Sequence, residues 1–133
     1  MVLRMKQLWA HGRDLAGWSW RFEELTCGNY GVTDFDSKTV TIDSRLDYGA
    51  WRSTVHHELL HVLRGPCDDD RAKEERLVEQ MAAIALISLD DLRSVRHLRS
   101  MREQAAQLRV DRKLIKTRWR TLSDAEKAWL EFP

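Results

Sequence analysis

The feature that most constrains how this chain can fold is a change of hydrophobic period at Asp47. Before it, apolar residues alternate with polar ones; after it, they recur every three to four positions. From Trp18 to Leu25 the order Trp-Ser-Trp-Arg-Phe-Glu alternates roughly, which predicts a strand. Tyr30 to Phe35 leads into a turn at Asp36-Ser37-Lys38, and Thr39-Val40-Thr41-Ile42-Asp43 follows with clean period-two alternation. These segments predict a hairpin, or a three-stranded antiparallel sheet if the first one joins it. A helix is expected over residues 2–11, where Val2, Met5, Leu8 and Trp9 are helically spaced and Gly12 ends the pattern.

Beyond Asp47 the periods are helical. Trp51, Val55, Leu59 and Val62 make one apolar stripe, closed by Gly65-Pro66. Asp68-Asp69-Asp70 is a polar loop able to cap a second helix running from Arg71 to about Ser88. Shorter helices are expected near 91–98, 102–108, 111–122 and 123–132. The fold class is therefore α+β, with a small antiparallel sheet first and helices after it. Residues 1–90 read as a core unit, and residues 91–133 as a helical region packed on it. At 133 residues the chain can bury about two thirds of its unfolded surface, enough for a real core.

Charge is unevenly spread. Residues 1–90 carry 11 Lys/Arg and 15 Asp/Glu, a balance of −4; residues 91–133 carry 11 and 6, a balance of +5. A basic C-terminal third on an acidic body points toward an acidic partner such as nucleic acid, and equally describes a solvated helical surface. Two cysteines, Cys27 and Cys67, make no disulfide framework. Arg4, Lys6, Arg13 and Asp14 interrupt every early apolar run, so no signal peptide is read. No stretch reaches the ~20 apolar residues of a membrane span. The expectation is a soluble, cytoplasmic protein.

Within the first helix stands Val55-His56-His57-Glu58-Leu59-Leu60-His61, the pattern His-Glu-x-x-His. Residues four apart share a helix face, so the imidazoles of His57 and His61 can reach one zinc ion. Glu58 projects beside them, placed to act as general base toward a water that the ion activates. His56 points about 100° away from His57 and is expected to be a neighbour rather than a ligand.

A catalytic zinc needs a third protein ligand. The metzincin extension would require Gly and His where this chain has Arg64 and Cys67, which excludes that class. The thermolysin-type arrangement takes a Glu from a second helix. Here Glu75 and Glu79 share a face with Ala82, Ala83 and Leu86, and the alanines permit close approach of the two helices. Glu75 is assigned as third ligand and Glu79 as the acceptor that orients a ligating His through its other ring nitrogen. Glu79, Glu74 and a Cys67 thiolate are the competing choices for the ligand.

The run Ser53 to His61, followed by Glu75-x-x-x-Glu79-x-Met81-Ala82-Ala83-Ile84-Ala85-Leu86-Ile87, resembles the ImmA/IrrE family of metallopeptidases. The resemblance covers roughly residues 30–92. It implies a zincin-like core and a zinc-dependent endopeptidase, often carried by phages and mobile elements. In such an anti-repressor role it cleaves a repressor protein. By position it makes His57 and His61 ligands, Glu58 the base and Glu75 the third ligand. Ser88 stands where the family usually has Pro, and Glu79 where Asn is common.

Zinc peptidases bind extended substrates along an edge strand beside the active-site helix, and Thr39, Val40, Thr41 and Ile42 are expected to form it. Tyr30, Tyr48, His11 and His97 are candidates for stabilising the oxyanion, and the residues do not choose among them. Residues 102–122 resemble a helix-turn-helix. Ala105, Leu108 and Val110 would pack the first helix and turn, and Ile115 would anchor the second. Arg112, Lys113, Lys116 and Arg120 would face outward, toward DNA or a protein partner. The motif's usual turn glycine is Arg109 here. Two functions follow: a zinc metalloendopeptidase acting on a protein substrate, or a non-enzymatic zinc-containing regulator that binds DNA or a partner through these helices. Glu58 favours the enzyme, because a structural zinc site needs no general base.

Overall fold

The computed structural model describes residues 17–132, so the helix expected over 2–11 and His11 lie outside the described residues. Among the described residues three strands come first: β1 (Ser19–Glu23), β2 (Gly31–Asp34) and β3 (Thr39–Asp43). Among the described residues six helices follow: α1 (Tyr48–Arg64), α2 (Arg71–Leu86), α3 (Leu89–Val95), α4 (Met101–Leu108), α5 (Arg112–Arg120) and α6 (Asp124–Glu131). The architecture is α+β, as the change of period indicates.

The sheet departs from expectation in two ways. Its order is β1-β3-β2, with β2 antiparallel to β3 but β1 parallel to it, so the sheet is mixed rather than antiparallel. Period-two alternation is the same in either orientation, and only the β2–β3 turn carried a local signal. The loop from β1 to β2 crosses the end of β3. There the Asp43 N–H donates to the Tyr30 carbonyl (2.8 Å) and the Arg45 guanidinium to the Leu25 carbonyl (2.8 Å). Arg45 also grips the Asp43 carboxylate at 2.8 Å, and these hydrogen bonds hold its pKa down to about 2. The second departure follows from the order. β3 is central, with both edges already paired, so Thr39, Val40, Thr41 and Ile42 cannot accept a substrate strand. Val40 and Ile42 are moreover fully buried. Among the described residues the free edge of the β2–β3 hairpin belongs to β2.

Helix α1 lies between the sheet and the other helices. Asp47 caps it, its carboxylate accepting from the Ala50 N–H at 2.9 Å. Gly65, with φ +87, ends it and donates its N–H to the His61 carbonyl. Val55 and Val62 pack on Val40 and Ile42, with Trp18, Trp20 and Trp51 around them. Leu60, on another face, joins the larger core, where Val78, Ala82, Ala83 and Ile87 meet Leu92, Ala105, Leu114, Ile115 and Leu130. That core draws on residues from both sides of position 90.

Helix α2 starts at the Asp70 cap, which accepts from the Lys73 N–H at 3.1 Å. It ends at Leu86, two residues earlier than its period suggests, because Ser88 caps α3 instead. Ser88 and Asp91 form a reciprocal capping box. Ala82 and Ala83 are fully buried, and α1 and α2 pack side by side. That contact brings the histidines and glutamates together.

Candidate metal centre

Four side chains from the two helices converge. Nε2 of His57 lies 3.0 Å from Oε2 of Glu75, and Nε2 of His61 lies 3.1 Å from Oε1 of the same carboxylate. The two Nε2 atoms are 3.1 Å apart. His57, His61 and Glu75 thus form a group that can hold a metal ion. Ligand atoms about 2.0–2.2 Å from a tetrahedral zinc stand roughly 3.4 Å from one another. The group needs to open by only a few tenths of an ångström to accept one, and two imidazoles with a carboxylate are a donor set that suits zinc.

Behind this group, Nδ1 of His57 faces Oε2 of Glu79 at 3.1 Å. Burial alone would push the His57 pKa down. The hydrogen bond that His57 donates to Glu79, the charges of Glu58 and Glu79 and the contact with Glu75 together raise it above the usual value. The bond to His57 in turn lowers the Glu79 pKa, against the effect of burial. Glu79 is therefore a carboxylate on the far side of a candidate ligand, the arrangement that fixes the tautomer and orientation of a metal-bound His. Glu74 is occupied elsewhere: Arg64 holds both its oxygens, at 2.6 and 3.0 Å. Cys67 is exposed and lies outside the group.

Glu58 is buried, and Thr33 of β2 donates its hydroxyl to Oε2 at 2.5 Å. Gly31 makes this approach feasible, because a Cβ there would stand 2.8 Å from Glu58 Cγ and from Thr54 Cγ2. Neither Thr33 nor Gly31 carried a signal in the sequence, since their role appears only once β2 lies across α1. His56, at 2% exposure, takes no part in the metal group. Burial, with the nearby Arg52 and His57 charges, lowers its pKa to about 4, so it is neutral at physiological pH.

Tyr30 and Tyr48 are exposed, Tyr48 stacking on Trp51 at 6.0 Å between centroids. Tyr48 opens α1 and so stands about 13 Å along its axis from His57. His97 is exposed, in the turn after α3.

In the C-terminal helices, Ala105, Val110, Leu114 and Ile115 are buried, and Arg112, Lys113, Lys116 and Arg120 are exposed. Arg109 adopts φ 56 and ψ 52, the left-handed conformation that a turn glycine would take with less strain. Arg118 turns inward and donates to the Ile87 carbonyl at 2.7 Å. Among the described residues no helix is long and apolar enough to cross a membrane. No family model, curated protein or solved structure matches the chain, so the reading of the site rests on its own geometry.

Proposed function

We propose that this chain is a zinc-dependent endopeptidase acting on a protein substrate. The observation that carries the reading is the convergence of His57, His61 and Glu75, with Glu79 behind His57. A zinc ion held there supplies Lewis acidity and a water whose pKa falls to about 7. Glu58 is the general base, its Oε2 steadied by Thr33 and its carboxylate shielded from bulk water. Glu79 keeps the His57 ring turned so that Nε2 faces the ligand group. Among the described residues β2, which carries Thr33 and runs beside α1, has a free strand edge with which an extended substrate can pair. The ImmA/IrrE resemblance supports a transcriptional repressor as the substrate class, and such a substrate requires the enzyme to work in the cytoplasm.

The test is to incubate purified, zinc-loaded protein with repressor proteins, with and without a chelator. Glu58→Gln keeps its zinc and loses cleavage by ~10²–10⁴-fold, because the amide cannot accept a proton. The His57→Ala/His61→Ala double variant loses the metal by elemental analysis. Full zinc in that double variant, or wild-type cleavage by Glu58→Gln, would overturn the proposal and favour the regulator.

A further inference from the structure

The exposed face of α5 has a fixed relation to the metal group. The helix is capped by Asp111, whose N–H donates to Ser53 Oγ at 2.9 Å. Ser53 lies one turn before His57 on the same face of α1, a step of about 5.4 Å. The guanidinium of Arg52 holds the Leu108 and Arg109 carbonyls at 3.1 and 3.2 Å. A Cβ on Gly49 would stand 3.1 Å from the Val110 carbonyl oxygen, so the α4–α5 corner sits directly on the first turn of α1. Arg112, Lys116 and Arg120 then follow at four-residue intervals along one face, with Lys113 beside them. All four are exposed, and among the described residues none of them forms an ion pair.

We infer that this face of α5 is a docking ridge for an acidic segment of the protein substrate, an inference that rests on the peptidase reading. The ridge follows directly on Asp111, which is bonded to Ser53 one turn before His57, and is about 12 Å long, from Arg112 to Arg120. At about 3.3 Å per residue, three or four residues of extended chain match that length. The recognised feature is therefore a run of about four Asp or Glu. Duplex DNA fits less well. A helix-turn-helix reads bases with the N-terminal end of its second helix, and here that end is seated against α1.

The experiment uses the full zinc-loaded chain and three fluorescein-labelled probes: a peptide with four consecutive glutamates among Gly, Ser and Ala, its glutamine counterpart, and a 20-base-pair duplex. Anisotropy at 150 mM salt should show the glutamate peptide bound more tightly than either of the others. The charge reversal Lys116→Glu/Arg120→Glu should weaken it by roughly five-fold or more, two exposed pairs being lost, with zinc content unchanged. Duplex bound more tightly than the peptide, or peptide affinity within two-fold after the reversal, overturns the ridge. A parallel arm measures cleavage of quenched-fluorescence peptides carrying the acidic run on either side of a common neutral sequence. Cleavage that ignores the run overturns the ridge and leaves the peptidase standing. Ridge-dependent binding with no cleavage of any peptide or repressor supports the ridge and removes the peptidase reading.

Discussion

Replacing Gly31 by Ala tests whether β2 and α1 are packed as closely as the site requires. The added methyl would lie 2.8 Å from both Glu58 Cγ and Thr54 Cγ2 and 3.1 Å from Glu58 Oε1, whereas ordinary contact begins at 3.4 Å. Strand and helix must therefore separate by about 0.6 Å, or Glu58 must leave its rotamer. Either movement disturbs the bond from Thr33 to Glu58. Overpacking of this kind costs about 1–3 kcal/mol, a fall in Tm of roughly 4–12 °C for a chain of this size. Urea unfolding should report the loss as a lower midpoint with an unchanged m-value. Zinc content should remain at the wild-type level, because all three ligands are side chains of α1 and α2 and none is supplied by β2. Adding Thr54→Ser removes one of the two clashing atoms. The pair should couple favourably by at least ~0.5 kcal/mol in a double-mutant cycle. A Gly31→Ala protein within 0.5 kcal/mol of wild type, on the threshold for an ordinary surface change, would refute the close packing.

Two further outcomes are expected. Glu79→Ala should weaken zinc binding by about 10–100-fold while leaving the ligand set intact, with Glu79→Gln intermediate, as measured by competition with a chromogenic chelator. Because Asp43 has a depressed pKa, its pairing with Arg45 contributes stability that is full above the ordinary value of 3.8 and is lost as pH falls through about 2. The stability gap between wild type and Arg45→Ala should therefore narrow steadily from pH 4 downward and be largely gone below pH 2 in acid titrations followed by circular dichroism. A gap as large at pH 2 as at pH 4 would contradict this.

The parts of the structure legible in the sequence were those governed by local periodicity and caps. The four-residue spacing of His57 and His61 placed both on one helix face, and Gly65, Asp70 and Asp47 sit at helix ends because their backbone and side-chain chemistry suits those positions. Glu75 could be singled out because it shares a helix face with small residues that permit close packing, yet Glu74 and Cys67 remained alternatives. Only the tertiary structure separated them, by turning Glu74 onto Arg64 and leaving Cys67 exposed. Strand order was likewise beyond local reading. Alternation reports which side chains face inward and is silent about neighbours, so β3 emerged as the central strand instead of the edge. The bond from Thr33 to Glu58 and the clearance at Gly31 join residues 23 or more positions apart. Spacing in sequence carries the chemistry of a single helix. Contacts between elements depend on how their packed faces meet, and that was decided by burial across the whole chain.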